Sequence, residues 1–297
     1  MTSWTFSFLP LRDGPALRWG RWGAEARHGH VLLLPGRVEF IEKYTDVAAA
    51  WASRGYQALC LDWRGQGGSG REVPDAPGKG HIDSFGTYLA DLACFWESVL
   101  QGVDPILLMA HSTGAHLALR FLGESPEKTR TVRRVIVTAP LVRVQTDRVP
   151  YPLARCVATL MASLAPTAYA VGQGPFSERE GVFAGNPLTA DPEQFARWTT
   201  LRVDHPDLTI GGATWGWVNA AMRSEEKLRA ALPKVTPPVL AVLTPADPLI
   251  DGASQRILPD RLPRCTTLSL PESRHEVLME SPPIRRQVWA AVDSFRI

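Results

Sequence analysis

From residue 30 onward the chain alternates short, almost unbroken apolar runs with longer stretches whose apolar residues recur every three or four positions. A strand-length run with no polar face suits a strand covered on both sides, and amphipathic helices are what cover it. The runs are 30–36, 57–64, 105–112, 134–141, 238–244 and 265–270, and helical spacing marks 42–54, 85–101, 115–122 and 283–295. This alternation predicts an α/β fold, a doubly wound and mostly parallel sheet. Weak alternation over 2–22 predicts an antiparallel hairpin at the sheet edge. A chain of 297 residues, 45% of them hydrophobic, can bury such a core without disulfides or a structural metal.

The rhythm fails between 142 and 232. No strong strand is visible there, 153–164 and 215–231 read as helices, and prolines and glycines punctuate the rest. We expect a helical cap at 143–232, inserted into a core made of 1–142 and 233–297. Its charges balance, nine basic to nine acidic, so it is neither a polybasic membrane surface nor a phosphate-reading one. Among its eight aromatics, Tyr151, Tyr169, Phe176, Phe183, Phe195, Trp198, Trp215 and Trp217, five or six are expected in the cap's own core. Trp198, Trp215 and Trp217 are the candidates to line an apolar substrate cavity.

A formal net charge of +2 with interspersed signs offers no field for a nucleic acid, which is excluded as a partner. Cys60, Cys94, Cys156 and Cys265 lie far apart without a C-x-x-C pair, so no zinc or dithiol site is expected and they read as buried thiols. The first ten residues lack a basic start followed by an apolar stretch, and no 18-residue apolar run occurs. A cytoplasmic, reducing setting is the expectation.

The strongest chemical signal is Leu107-Leu-Met-Ala110-His111-Ser112-Thr113-Gly114-Ala115. An apolar strand runs into a serine with small residues two before and two after, then into a helix. That pattern is a nucleophile elbow, a turn so sharp that bulk at either flanking position would block it. Ala110 stands where glycine is usual. A serine hydroxyl needs a histidine to take its proton and a carboxylate to fix that histidine's tautomer. After the run 238–244 comes Asp247, at the strand edge where open α/β sheets build their sites, and after 265–270 comes His275. Asp251 reads instead as the N-cap of a helix beginning at Gly252. The other histidines, His28, His30, His81, His111, His116 and His205, read as structural or exposed, the side chain of His111 pointing away from the hydroxyl. Backbone amides of Thr113 and Arg37 are the candidate oxyanion donors, although Pro35-Gly36 alone is equally a plain turn. His275-Glu276 lacks a second histidine at 279, so no metal is implied. Gly65-Gln-Gly67-Gly-Ser-Gly70 spells a dinucleotide fingerprint, but prolines at 74 and 77 deny it the helix it needs, so no nucleotide cofactor is implied.

Together these residues resemble the α/β-hydrolases, and within them the capped serine hydrolases similar to bacterial lysophospholipases and monoacylglycerol lipases. Beyond the elbow, the resemblance is carried by Pro35-Gly-Arg-Val-Glu-Phe-Ile-Glu-Lys-Tyr44, Asp62-Trp-Arg-Gly-Gln-Gly-Gly-Ser69, Asn186-Pro-Leu-Thr-Ala-Asp191, Thr214-Trp-Gly-Trp217, Ala246-Asp-Pro-Leu-Ile-Asp251 and Arg274-His-Glu-Val-Leu-Met-Glu280. It implies a triad of Ser112, Asp247 and His275 and a structural role for the Asp62 loop. It also implies cofactor-free hydrolysis of a carboxylic ester on a single-chain amphiphile through an acyl-serine, with transient contact with lipid aggregates left open. Two rivals are a carboxylesterase for short esters or lactones and a non-catalytic binding protein.

Overall fold

In a computed structural model that describes residues 3–23, 26–104, 106–146 and 149–295, the strands are β1 (Trp4–Leu9), β2 (Leu17–Trp22), β3 (His30–Leu34), β4 (Gln57–Leu61), β5 (Ile106–His111), β6 (Val132–Thr138), β7 (Val239–Leu243) and β8 (Cys265–Ser269). They form one sheet in the order β1-β2-β4-β3-β5-β6-β7-β8. β3 to β8 run parallel, and the hairpin β1–β2 joins β4 antiparallel. Thr2 and Pro105, counted in the expected hairpin and third run, lie outside the described residues.

β4, β5 and β7 are buried along their whole length, as unbroken apolar runs require. β8 departs from that expectation. It closes the sheet, and Thr266, Thr267 and Ser269 stand exposed. β6 also ends earlier than its apolar run, because the chain turns at Ala139 with φ +42° and the amide of Leu141 donates to the carbonyl of Ser112 at 3.1 Å.

Helices cover both faces. α1 (Thr45–Ser53) and α8 (Pro282–Ser294) pack Val47, Trp51, Ile284 and Val288 on one side. α2 (Phe85–Val99) and α3 (Ser112–Glu124) pack Leu92, Phe95, Leu117 and Phe121 on the other, and a short α7 (Ile257–Arg261) follows β7. Between β6 and β7 come α4 (Tyr151–Leu164), α5 (Pro192–Asp204) and α6 (Trp215–Ala231). α5 was not anticipated. Its start is nonetheless written in the sequence, since Asp191 accepts from the amides of Glu193 and Gln194 and Pro192 opens the first turn.

The three helices are held very differently. α6 sends Trp217, Ala220, Ala221 and Leu228 into the same apolar cluster as α2 and α3. It lies so close that a Cβ on Gly123 would meet the carbonyl oxygen of Ala231 at 2.3 Å. α4 buries only Ala158 and leaves Leu153, Val157, Leu160 and Leu164 exposed. Of the cysteines only Cys60 is buried. Cys94 and Cys265 are half-buried and Cys156 is exposed on the outer side of α4, which corrects the expectation of four buried thiols. Among the described residues, no helix is long and apolar enough to cross a membrane.

β3 lies between β4 and β5, so the winding reverses there and opens a crevice beyond the C-terminal ends of β3 and β5.

Candidate active site

Ser112 sits at that crevice with φ +50°, a left-handed conformation unfavourable to a residue with a side chain. Its surroundings impose it. A Cβ on Gly114 would lie 2.2 Å from the carbonyl oxygen of Leu34 and 2.4 Å from that of Pro35, so glycine lets the end of β3 press directly against the start of α3. Ala110, two residues before, is 1% exposed, and its methyl is accommodated within the packed sheet.

The candidates read from the sequence come together. Nε2 of His275 is 2.9 Å from Oγ of Ser112, and Nδ1 of His275 is 2.7 Å from Oδ2 of Asp247. With Nδ1–H donating to the carboxylate, Nε2 is the free lone pair facing the hydroxyl. Asp247 also accepts from the Thr244 hydroxyl at 2.9 Å and the Leu249 amide at 2.8 Å. Burial opposes its ionised form, yet the bond and charge of His275 together with the bonds from Leu249 and Thr244 outweigh burial and hold the carboxyl below its ordinary range. Burial likewise disfavours the imidazolium of His275, and the adjacent Asp247, helped by the charges of Glu276 and Glu39, overrides it, leaving the histidine above its ordinary value. Asp251 accepts from the amide of Ser254 at 3.2 Å and so caps the 3-10 turn Gly252–Arg256.

The loop carrying His275 is locked to the insertion. The buried carboxylate of Glu280 accepts from the amides of Arg274 and Ala190, and the Arg274 guanidinium donates to the carbonyls of Asn186 and Thr189. Two motifs far apart in sequence thus hold one another. Thr113 is the second residue of α3, in the first turn, whose leading amides have no partner within the helix. The amide of Arg37 has no acceptor among the described residues, and the Arg37 guanidinium donates to the carbonyl of Gly211 at 2.7 Å. Burial draws that guanidinium down to about 10.

Of the remaining histidines, His116 bonds the carbonyl of Leu141 and the hydroxyl of Ser224, and His81 bonds Thr214. His111 is the exception. Its ring lies 4.9 Å from that of His275 and its Nδ1 is 3.0 Å from Thr138 Oγ1. Burial drives it down to about 3, so it stays neutral. Beside it is a charged cluster that sequence reading did not single out. Lys43 bridges Glu39 and Glu276, and all three side chains are almost entirely buried. Glu39, His111 and Glu276 are close enough to converge on a cation, but the ammonium of Lys43 already pairs with both carboxylates. No pattern signals such a cluster, because Glu276 joins the pair Glu39 and Lys43 from a segment more than 200 residues away.

A cavity of about 910 Å³ opens over Ser112 and His275. Its wall includes Trp198, Trp215, Trp217, Phe195, Leu153 and Val157, so all three tryptophans singled out from sequence reach it. A smaller cavity of about 480 Å³, lined by Trp51, Tyr56, Leu107 and Phe295, has no serine, threonine or cysteine among its described lining residues and lies at the other end of the strands.

The sequence family described as serine aminopeptidase, S33, matches residues 25–282. Lysophospholipase L2 of Escherichia coli K12 is 29% identical, the match covering 97% of this chain and 86% of that protein. The structure of a soluble variant of monoglyceride lipase from Saccharomyces cerevisiae, in complex with a substrate analogue, superposes with a TM-score of 0.76 at 17% identity, over 98% of this chain and 95% of that one. The monoacylglycerol lipase of Paleococcus ferrophilus gives a TM-score of 0.72 at 18% identity, over 93% and 97%. With the elbow, the switch-point crevice and this match over most of its length, the chain belongs to the serine aminopeptidase S33 family of hydrolases and has the α/β-hydrolase fold.

Proposed function

We propose that this protein hydrolyses the carboxylic ester of a single-chain amphiphile, a lysophospholipid or a monoacylglycerol, through an acyl-serine intermediate. One observation carries the reading: a serine already hydrogen-bonded to a histidine–carboxylate pair opens onto a large and mostly apolar cavity. The relatives named above act on such lipids by their names, and the cavity is near the upper end of the usual range for small-ligand sites, roughly 300–1,000 Å³. A short ester or lactone would leave most of that apolar wall unfilled.

In this reading Oγ of Ser112 attacks the acyl carbon while its proton passes to Nε2 of His275, and the imidazolium so formed is stabilised by Asp247. The amides of Thr113 and Arg37 receive the oxyanion. His275 then protonates the departing glycerol oxygen, and the same base activates water to release the fatty acid. A peptide α-ammonium, by contrast, would need a free carboxylate. The buried pair Glu39 and Glu276 is bound to Lys43, and Glu180 is bound to Arg202.

The segment 143–232 serves as the cap over the cavity, with 1–142 and 233–297 as the scaffold. Exposed Leu153, Val157, Leu160 and Leu164 on α4, with Val171 and Val182 nearby in the insertion, form an apolar surface suited to transient contact with a lipid aggregate. Four unpaired thiols fit a reducing, cytoplasmic setting.

The test is the initial rate on monoacylglycerols, lysophosphatidylcholines and short aryl esters of graded chain length, with Ser112→Ala as the blank. A maximum at long single chains that vanishes in the variant is expected. Activity confined to short esters would overturn the substrate class, and activity retained by Ser112→Ala would overturn the mechanism.

A further inference from the structure

We propose that Glu39 and Gln66 are positioning residues that preset the oxyanion-binding turn by capturing the two amides on either side of Arg37. The inference rests on the serine-hydrolase reading above and goes beyond it to what fixes the turn's conformation.

Three consecutive amides of the turn have three different fates. The amide of Gly36 donates to Oε2 of Glu39, that of Val38 donates to Oε1 of Gln66 at 2.6 Å, and that of Arg37, between them, has no acceptor among the described residues. Both capturing residues are 2% exposed, so their acceptor oxygens are shielded from bulk water. Glu39 is itself fixed by the hydroxyl of Tyr44 at 2.7 Å and by Lys43. The turn presses on the nucleophile, since a Cβ on Gly36 would lie 3.2 Å from Cβ of Ser112 and 3.1 Å from the ring of His111.

Val38 shows that the conformation is imposed. It has φ +71°, a region that β-branched residues strongly avoid. A valine left to itself would rotate to negative φ, turning the 37–38 peptide through which the chain reaches Arg37. The bond from Val38 N–H to Gln66 holds it in place. Gln66 is placed for that bond by the glycine-rich loop that mimics a dinucleotide fingerprint. The loop wraps the buried carboxylate of Asp62, which accepts from the amides of Gly68 and Ile41, and a Cβ on Gly67 would collide with that carboxylate at 2.3 Å. Nε2 of Gln66 is buried without a partner, so the captured amide is the side chain's one hydrogen bond among the described residues. The loop's chemistry is thereby accounted for: it presents an acceptor to the turn after β3.

Gln66→Met keeps the shape and removes the acceptor. Misplacing one oxyanion donor should cost less than the ~10²–10³-fold that deleting one costs. We therefore expect kcat on an aryl ester to fall by about 10- to 100-fold with KM within about twofold. The affinity for an alkyl trifluoromethyl ketone, whose serine adduct carries the oxyanion, should fall by the same factor. Gln66→Glu keeps an acceptor and should retain most of kcat. Adding Val38→Gly to Gln66→Met should recover much of the loss, because glycine takes positive φ without strain. If Gln66→Met does not fold, Gln66→Asn, which withdraws the acceptor by one methylene, carries the same expectation. The proposal is overturned if the folded variant keeps its kcat, if kcat falls while the ketone binds as before, or if Val38→Gly restores nothing. Ser112→Ala separates the two layers: turnover that survives it overturns the serine mechanism, whatever Gln66 does.

Discussion

Lys43→Met tests the buried charge cluster beneath the site. In the parent, the ammonium lies 2.7 Å from Oε2 of Glu276, also pairs with Glu39, and sits 4.7 Å above the Trp198 ring, with side-chain exposures of 4%, 9% and 2% for Lys43, Glu276 and Glu39. Methionine fills the volume but leaves two carboxylates in a dry site with no counter-charge, changing the cluster from −1 to −2. Breaking a buried ion pair by removing one partner costs about 3–5 kcal/mol, because the surviving charge has lost both water and its partner. With a urea m-value of about 3 kcal/mol per molar for a chain of this size, the midpoint should fall by about 1–1.7 M. The pH dependence has a definite sign. In the variant the carboxylates hold protons more tightly in the folded than in the unfolded chain, where the glutamate value is about 4.3, so protonation favours the fold. The deficit should therefore be full near pH 7 and shrink as the pH falls toward about 5. Adding Glu276→Gln should recover part of it at neutral pH. Urea unfolding followed by tryptophan fluorescence at both pH values reads all of this. A variant as stable as the parent at pH 7, or a deficit unaffected by pH, would refute the reasoning.

Because Asp247, with the charges of Glu276 and Glu39, outweighs burial and raises His275, the acid limb of kcat/KM should lie above the ordinary histidine value of 6.5, with activity lost as the pH falls through it. Asp247→Asn should move that limb down and lower the plateau by about 10⁴-fold, while Asp251→Asn, which loses only a cap, stays within a few-fold; a limb unmoved by Asp247→Asn would contradict the assignment. Trp215 and Trp217 should separate in kind. Trp215, half-exposed at the cavity wall, should on replacement by alanine shift the chain-length optimum with little effect on unfolding. Trp217 packs between Phe85 at 5.5 Å and the Arg37 guanidinium at 5.2 Å, and its replacement should also cost about 3–5 kcal/mol of stability. Uniform loss at every chain length in Trp215→Ala would assign it to packing instead.

What the sequence disclosed and what it hid have a common physical cause. Buried parallel strands and amphipathic helices write their positions in local periodicity, so the runs that became β3 to β7 could be read directly. β6 ran short because apolarity continues past Thr138, while the turn at Ala139 is dictated by contact with Ser112. α5 was hidden by its polar composition, with Phe195 and Trp198 its main apolar anchors, although the Asp191-Pro192 start was there to be seen. The relay of Ser112, His275 and Asp247 was legible because each follows a strand at the same sheet edge. Lys43, Glu39, Glu276 and Gln66 were not, since a charged or amide side chain in a loop looks identical whether it meets water or a buried partner. His111 reads from sequence as structural or exposed and is structural, buried and bonded to Thr138; that its ring also lies against that of His275 is tertiary packing with no sequence signature.

The unequal attachment of the three inserted helices bears on how such proteins exchange parts. α6 leaves no seam. Ser224 bonds both His116 and Arg120 of α3, and Gly123 admits the backbone of Ala231 at a distance that forbids any side chain between them. A recombination that carried the whole insertion from one relative to another would therefore have to match α6 to a foreign α3, residue by residue. The stretch that can be swapped without opening the core is α4, which buries only Ala158, because Arg274 and Glu280 tie 186–190 to the His275 loop and Trp198 of α5 packs against the buried Phe40; variation in ligand preference can accumulate along α4 while α6 is inherited with the scaffold.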